Sequence, residues 1–217
     1  LCRGGFFTTA DHAEAEAAEI KNREAIDEAA ALNAATLVLV AGGLPPGDRD
    51  LQAARDRAAR AIERLVPYAH DHGVTLGIEP MNPIYAADRG VISTLAQALD
   101  VAERFDVADV GVVVDTFHLW WEPGIADQLQ RAGERIASYQ ICDWITPLPA
   151  DTLLARGMMG DGHIDFPAFT RAVARAGYRG DIEVEIFNAD LWASPPGEVV
   201  DTMANRYVEL VQPYLDE

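Results

Sequence analysis

Short apolar runs alternate with longer helix-like segments along almost the whole chain, and this alternation restricts the fold more than any other feature. The short runs are rich in β-branched residues, whereas the longer segments are rich in alanine and carry apolar residues at helical spacing. A strand followed by a helix, repeated six times, predicts a parallel sheet. The predicted strands cover residues 1–7, 36–41, 74–78, 109–115, 135–142 and 181–186, and the predicted helices cover residues 13–34, 50–72, 91–105, 125–132, 166–176 and 196–215.

One predicted strand is apolar until its last residue. Val112, Val113 and Val114 are consecutive β-branched residues, which is the pattern of a parallel strand buried on both faces. The strand ends at Asp115, and a carboxylate there is costly to bury unless it meets a cation, a hydrogen-bond donor or water. Asp115 is therefore either a helix cap or turn residue, or part of a functional site. The choice depends on whether other strands end in the same way.

Polar side chains stand at the carboxyl ends of several predicted strands. Glu79 and Glu185 each end a strand, and Gln140 and Asp143 lie at the end of another. This pattern is typical of a closed (β/α) barrel, whereas an open nucleotide-binding sheet has a glycine-rich loop directly between a strand and a helix. The glycine-rich run at 157–162 lies in a long loop and contains an aspartate, which argues against phosphate binding. We therefore predict an α/β fold, a TIM-type (β/α) barrel.

The number of strand–helix units is lower than a closed barrel needs. About six units are visible, and eight are required. We therefore expect the first two strands to be missing from this chain or to be supplied by something else. We predict a single barrel domain over residues 1–217 that is incomplete at its N-terminus.

Composition and charge limit the function classes. The formal net charge is −18, from 17 basic and 35 acidic residues, which opposes binding to nucleic acid or to an anionic membrane. No run is apolar for long enough to span a membrane. Cys2 and Cys142 form no CxxC pair, which indicates a cytoplasmic protein. Lys21 is the only lysine and lies in a predicted helix, so a Schiff-base mechanism is not expected.

Carboxylates that converge at the mouth of a barrel repel one another unless they share a cation. We therefore predict a divalent-metal site with four ligands, Glu79, Asp115, Gln140 and Glu185. Oxygen ligands favour Mn²⁺ or Mg²⁺, and an amide or imidazole in the set also admits Co²⁺ or Zn²⁺. Simpler interpretations stay open: Glu79 as a loop carboxylate, Gln140 as a solvent-facing strand residue, and Glu183, on the same strand face, in place of Glu185.

Five motifs occur in an order that resembles the xylose isomerase-like barrels, over nearly the whole chain. They are GIEP (77–80), VVVDTFH (112–118), YQICDW (139–144), RGMMGDGHIDF (156–166) and EVEIF (183–187). That superfamily includes sugar isomerases, sugar epimerases and inosose dehydratase. The resemblance implies a metal held by the four ligands above, and substrate oxygens contacted by His118 and Arg156. Many members have histidine where this chain has Gln140, although hydroxypyruvate isomerase-like members have glutamine there.

The resulting hypothesis is a metal-dependent sugar isomerase or epimerase of carbohydrate metabolism, which moves a proton beside a carbonyl through a metal-stabilised enediolate. Glu79 and Glu185 would form the acid–base pair, and the small-molecule sugar would also contact Trp120, Trp144 and Asn82. Two alternatives stay open. One is a metal-dependent dehydratase or lyase acting on a keto-sugar, which expels a leaving group after the same proton removal. The other is a non-catalytic sugar-binding or partner subunit. The oligomeric state, including a homo-oligomer, is also open.

Overall fold

The computed structural model describes residues 6–215, and within them strands and helices alternate as the sequence predicts. These residues fall into two units. The first unit extends to Val114 and includes Arg135–Ser138, and the second comprises Asp115–Glu134 and the chain from Tyr139 onward. Within the described range, no helix is both long enough and apolar enough to cross a membrane.

The strands are β1 (Thr36–Leu39), β2 (Thr75–Ile78), β3 (Val110–Asp115), β4 (Ile136–Ile141), β5 (Asp143–Trp144), β6 (Arg156–Gly157) and β7 (Ile182–Val184). The α-helices are α1 (His12–Ala31), α2 (Leu51–Asp71), α3 (Leu95–Ala102), α4 (Thr116–Leu119), α5 (Ile125–Ala132), α6 (Phe166–Arg175), α7 (Ala189–Ala193) and α8 (Pro196–Leu210). Short 3-10 helices cover Pro83–Tyr85, Gly133–Arg135, Thr152–Leu154 and Gln212–Tyr214. One sheet has the strand order β1-β2-β3-β4-β7, and β5 and β6 form a separate antiparallel pair.

In the first unit, β1, β2 and β3 are parallel neighbours. Leu39 is paired with Ile78, and Ile78 is paired with Val112, so the three strands run in register toward the same edge of the sheet. Val112 and Val113 have no exposed surface. This burial on both faces is what the uninterrupted run of valines predicted.

In the second unit, the last residues of β4 pair in parallel with β7, and Gln140 lies opposite Glu183. Successive side chains of a strand point to opposite faces. Tyr139 faces α6, where its hydroxyl lies 3.0 Å from the hydroxyl of Thr170. Gln140 therefore points to the other face of the sheet, away from α6.

The helix predicted at 91–105 begins later in the structure, because Thr94 is the N-cap of α3. The Thr94 hydroxyl accepts a hydrogen bond from the N–H of Gln97 at 3.2 Å. Most of the strand predicted at 1–7 lies outside the described residues, and Phe6 and Phe7 are not in a strand. The short elements α4, α7, β5 and β6 were not predicted, because elements of two to five residues carry no periodic pattern.

Helix α1 buries only some of its large apolar residues. Ile26 is fully buried, but Ile20 and Leu32 are 54% and 79% exposed. These residues are six positions apart, which turns each by about 240° from the last, so they cannot share one face. The buried face consists of Ile26 and three smaller side chains, Ala18, Asn22 and Ala29.

The close packing of β3 against β4 in the first unit can be tested at Gly111. A Cβ atom at Gly111 would lie 2.7 Å from the carbonyl oxygen of Arg135 and 2.8 Å from the Cβ of Ala137. We expect Gly111→Ala to lower the free energy of unfolding by about 1–3 kcal/mol, because neither neighbour is the flexible end of a long side chain. Urea denaturation measures the change.

The matched control for this substitution is Gly197→Ala in α8. A Cβ atom there would meet no other atom within 4 Å. It should stabilise the protein by about 0.4–1 kcal/mol, because alanine restricts the unfolded chain more than glycine does. Equal effects of the two substitutions would contradict the packing described for β3.

Candidate active site

Arg156 is the centre of a group of polar side chains in the second unit. It lies in β6, and only 4% of its surface is exposed. Its Nη1 donates to Oδ2 of Asp115 at 2.7 Å, and its Nη2 lies 3.2 Å from Oε2 of Glu185. The guanidinium carbon also stands 4.7 Å from the ring centroid of Phe117. Two predicted metal ligands therefore share one buried cation, which offsets the cost of burying the Asp115 charge.

Asp115 uses its two carboxylate oxygens for different partners. Its Oδ1 accepts a hydrogen bond from the N–H of Phe117 at 2.8 Å, which makes Asp115 the N-cap of α4. Its Oδ2 accepts from Arg156. The Thr116 hydroxyl donates to the Cys142 carbonyl at 2.7 Å and accepts from the Cys142 N–H at 3.0 Å, which holds α4 against the end of β4. The helix cap considered as the simpler role is present, and it leaves Oδ2 facing the guanidinium.

His118 is buried beside the same guanidinium. Its Nε2 lies 3.2 Å from Nη2 of Arg156 and 3.7 Å from Oδ2 of Asp115. Burial lowers the pKa of His118 to about 4, while the Asp115 charge acts in the opposite direction and the Arg156 charge lowers it further. The imidazole is therefore neutral at pH 7, and its nitrogens can serve as hydrogen-bonding atoms or metal ligands.

Gln140 presents a buried carbonyl oxygen without a partner. Its Nε2 donates to Oε2 of Glu183 at 3.1 Å, whereas its Oε1 accepts no hydrogen bond from any residue in the range 6–215. Cys142 lies two residues further along the chain and so on the same face, where its Sγ accepts from Nη1 of Arg156 at 3.3 Å. An unpaired buried oxygen costs about 1–3 kcal/mol. A cation at this face would satisfy it.

The two glutamates of the β7 segment differ in their contacts. Glu185 lies just beyond β7, its side chain is 30% exposed, and it shares Arg156 with Asp115. Burial raises the pKa of Glu185, and the Arg156 charge partly opposes that shift. Glu183 is exposed, and its carboxylate binds Gln140. Glu185 therefore belongs to the group around Arg156, and its role as a metal ligand in place of Glu183 stays a prediction.

The two predicted substrate-binding aromatics lie side by side in the second unit. The ring centroids of Trp120 and Trp144 are 5.7 Å apart, and Trp144 also lies 4.7 Å from Phe117. The buried indole Nε1 of Trp120 has no hydrogen-bond partner in the described part of the chain. By contrast, Trp192 is 61% exposed and packs edge-on against Phe187. Trp120 and Trp144 form an apolar wall next to Phe117, which contacts Arg156.

Two predicted site residues belong to the first unit. Glu79 directly follows β2, is 7% exposed, and its N–H donates to the Leu39 carbonyl at 3.0 Å, so it stands at the carboxyl end of the parallel strands. Asn82 is 5% exposed, and its Oδ1 accepts from the N–H of Ile84 at 3.2 Å. Asn82 therefore starts the 3-10 helix at Pro83–Tyr85, a structural role that the sequence did not indicate.

Asp143 has a role that the sequence analysis missed. Its side chain is fully buried, and its two oxygens accept four backbone hydrogen bonds at 2.8–3.0 Å. The donors are the N–H groups of Trp144, Gly160, Gly162 and Ile164. The glycine-rich run at 157–162 therefore binds a carboxylate of its own chain, with backbone amides directed at an anion. Gly162 is required for this approach, because a Cβ atom there would lie 2.6 Å from Oδ1 of Asp143.

The loop that Asp143 closes carries Arg156 into the group of carboxylates. Both the strand-end aspartate and the glycine-rich run are visible in the sequence. Their connection is not visible, because nothing in the run itself indicates which anion its backbone amides bind. A buried carboxylate that follows a strand, with glycines about 15–20 residues later, is the signal that could have revealed it.

The donor atoms suit a divalent cation. Glu79, Asp115 and His118 are buried side chains of the types that bind metals. In the second unit, Gln140 and Glu185 add an amide oxygen and a carboxylate. Oxygen and imidazole donors are the side-chain atoms that commonly hold divalent cations in proteins.

Comparison with known proteins agrees with the architecture. The sequence model of a family described as xylose isomerase-like TIM barrel matches residues 1–207. L-ribulose 3-epimerase of Methylomonas sp. (strain DH-1) is 26% identical over 138 residues, which are 63% of this chain and 44% of that protein. 3-Dehydroshikimate dehydratase of Pseudomonas aeruginosa is 36% identical over 143 residues, which are 62% of this chain and 21% of that protein. The chain thus spans less than half the length of either relative.

Solved structures extend the comparison. A crystal structure of a protein from Sinorhizobium meliloti 1021 matches with a TM-score of 0.91 at 48% identity, over 97% of this chain and 77% of that one. The IolI protein, whose structure holds a zinc atom, matches with a TM-score of 0.81 at 22% identity, over 97% of this chain and 75% of that one. With the family match, these similarities confirm the TIM-type barrel fold predicted from the sequence.

The role of Asp143 as the anchor of its loop predicts the effect of Asp143→Asn. An amide has one oxygen instead of two, so a pair of the four backbone N–H donors would lose its acceptor. We expect the free energy of unfolding to fall by about 2–6 kcal/mol, measured by urea denaturation.

The control in the same loop is Asp151→Asn. Asp151 is exposed and accepts one hydrogen bond, from the N–H of Leu153 at 3.0 Å. Asparagine caps a helix about as well as aspartate does, so its effect should be small. A loss at Asp143 no greater than that at Asp151 would show that the buried carboxylate does not hold the loop.

The buried ion pair of Arg156 predicts a large effect of Arg156→Leu in metal-free protein. The side chains of Arg156 and Asp115 are 4% and 0% exposed, so removing the cation leaves an uncompensated buried charge. We expect a loss of about 3–5 kcal/mol in the free energy of unfolding, measured by urea denaturation with a chelator present.

An exposed ion pair of the same kind provides the comparison. Arg206 lies 3.2 Å from Asp161, with the two side chains 36% and 49% exposed. Arg206→Leu should cost less than about 1 kcal/mol. If Arg156→Leu were as mild as Arg206→Leu, Asp115 would not depend on the guanidinium for its burial.

Proposed function

The chain belongs to the xylose isomerase-like TIM barrel family, and we propose that it is a divalent-metal-dependent isomerase or epimerase that acts on sugars or keto-sugars by proton transfer. The observation that carries the proposal is the group around Arg156. Asp115 and Glu185 are held there by the Arg156 guanidinium. The Gln140 oxygen, which has no partner among residues 6–215, lies on the same sheet face as Cys142, whose Sγ accepts a hydrogen bond from Arg156. Carboxylates, an amide oxygen and a neutral imidazole in one place favour metal-assisted chemistry on a polar substrate.

The proposed metal ligands are Glu79, Asp115, Gln140 and Glu185. Asp115 and Glu185 already meet a positive charge in the structure. Glu79 is included because it directly follows Ile78, which is paired with Val112 of β3, and β3 ends at Asp115. Manganese or magnesium fits this oxygen-rich set best. When bound, the metal would stabilise the negative charge that develops on the substrate oxygens as a proton leaves the adjacent carbon.

Glu185 and Glu79 are the proposed acid–base pair. Burial raises the pKa of Glu185, which brings a carboxyl group closer to the range in which it can both accept and return a proton near neutral pH. In an epimerase one group removes the proton and the other returns it on the opposite face. In an isomerase the proton returns to the neighbouring carbon.

The remaining predicted residues are assigned to substrate binding. His118 is neutral and offers ring nitrogens to sugar hydroxyl groups. Arg156 provides several N–H donors from a single planar group. Trp120 and Trp144 form an apolar wall for the carbon face of a sugar. Asn82, which is buried in the first unit, is the remaining proposed contact.

A dehydratase acting on a keto-sugar or related ring is the second candidate. The specific observation in its favour is the 36% identity to 3-dehydroshikimate dehydratase, against 26% for the L-ribulose 3-epimerase. Both reactions begin with the removal of a proton beside a carbonyl. They differ afterwards, because the dehydratase expels a hydroxyl group as water whereas the epimerase returns the proton.

The test uses the Mn²⁺-loaded protein with ketohexoses in D₂O, followed by NMR and mass spectrometry. Isomerisation or epimerisation conserves the carbon skeleton and its oxygens, and it can introduce deuterium at the reacting carbon. Elimination loses water. Glu185→Gln should lower turnover by about 10²–10⁴-fold while the protein stays folded, because a positioned acid–base group contributes that much.

The control substitution is Glu198→Gln, which removes an acidic side chain from the exposed first turn of α8. It should leave turnover unchanged. Glu185→Gln with near-normal turnover would refute the assigned role. Wild-type protein that binds Mn²⁺ and sugar without any turnover would refute the enzyme proposal in favour of a sugar-binding subunit.

A further inference from the structure

We infer that Glu183 is a positioning residue, whose carboxylate orients the Gln140 amide so that its oxygen, and not its NH₂ group, is presented as a metal ligand. The inference rests on the proposed function, because it takes Gln140 to be a ligand. It goes beyond that function by assigning a task to a residue outside the metal site. It also explains how the Gln140 amide can serve as a metal ligand in place of a carboxylate or an imidazole.

The backbone places these two side chains together. Gln140 of β4 and Glu183 of β7 are direct partners in the parallel register. Tyr139 points to the opposite face, toward Thr170 of α6, so Gln140 lies on the face where Arg156 meets Cys142. Glu183 and Glu185 are two residues apart, so their side chains point to the same face of the strand. Glu183 therefore lies on the N-terminal side of Glu185, which contacts Arg156.

The chemistry of the two groups decides the orientation of the amide. A side-chain amide has a donor end and an acceptor end that differ little in size, and a carboxylate can only accept. The Glu183 carboxylate therefore selects the orientation in which Nε2 donates to it, at 3.1 Å. The opposite end, Oε1, is then buried and meets no partner within residues 6–215. The reversed amide would place oxygen against oxygen at Glu183.

Fixing the amide also strengthens it as a ligand. A carboxylate that accepts a hydrogen bond from the far side of a metal-binding side chain raises the basicity of the ligand atom and holds its orientation. Such partners typically change metal affinity by about 10–100-fold. Glu183 is exposed and lies in β7, the last strand in the described order of the sheet, so its removal should disturb the core little.

The experiment is a double-mutant cycle on Mn²⁺ affinity, measured by calorimetry and by electron paramagnetic resonance of free Mn²⁺. The four proteins are the wild type, Glu183→Gln, Gln140→Ala and the double variant. Glu183→Gln should weaken Mn²⁺ binding by about tenfold or more, because a glutamine at 183 can donate as well as accept and no longer selects the amide orientation. In the Gln140→Ala background the same substitution should change the affinity less than about twofold.

Two further variants separate orientation from charge. Asp181→Asn removes one negative charge from an exposed residue of the same segment and should change Mn²⁺ affinity less than about twofold. Gln140→His should retain the dependence on Glu183, because an imidazole N–H can donate to the carboxylate as the amide does. Urea denaturation of each metal-free variant checks that the fold is intact.

The outcomes separate this inference from the proposed function. Additive effects of Glu183→Gln and Gln140→Ala would show that Glu183 acts on the metal directly, and would overturn the positioning role while the metal site stands. An unchanged Mn²⁺ affinity in Glu183→Gln would also overturn it. Failure of the wild-type protein to bind Mn²⁺, Mg²⁺, Co²⁺ or Zn²⁺ would refute the proposed metal dependence, and the inference with it.

Discussion

The contact of two carboxylates, one buried and one half-buried, with one buried guanidinium is the interaction on which the second unit depends. Asp115 and Glu185 come from different strand ends, and both meet Arg156, whose side chain is almost inaccessible. A buried charge without a partner would cost several kcal/mol. The rest of the local structure brings the three groups together. Asp115 also caps α4, Thr116 bonds α4 to the end of β4, and Asp143 binds the loop that delivers Arg156.

The same group would allow the proposed metal-binding site to be held together before a metal binds. Carboxylates placed for a divalent cation repel one another in its absence, and a folded chain must compensate for that repulsion. Here the compensation is internal, because the guanidinium donates to Asp115 and lies against Glu185. His118 does not add a charge, since burial keeps it neutral. The positive charge that compensates the carboxylates therefore comes from Arg156, a residue of the short strand β6 and not of a strand end in the five-stranded sheet.

The sequence could predict the elements and the strand-end residues, but not the contacts that join distant loops. The valines before Asp115 predicted a strand buried on both faces, and the positions of Glu79 and Glu185 followed from where strands end. The family resemblance is confirmed. The bond between Asp143 and the glycine-rich run links residues about 20 positions apart through a loop without periodicity, so no local pattern encodes it. The apolar spacing in α1 predicted a helix but not its buried face, because Ile20 and Leu32 are exposed whereas Ile26 is buried.

Gln140 illustrates why a ligand cannot be judged from its own position alone. In isolation, a glutamine in a strand offers either an oxygen or an NH₂ group to its surroundings, and only the oxygen can bind a cation. The choice is made by the residue opposite it, because the Glu183 carboxylate accepts only from the NH₂ end. An amide ligand is neutral and oxygen-based, which shifts a site toward hard cations compared with an imidazole. The cross-strand pair would therefore determine both whether residue 140 presents a metal ligand and which cations that ligand prefers. A motif that records residue 140 without residue 183 omits one of the two residues on which the ligand depends.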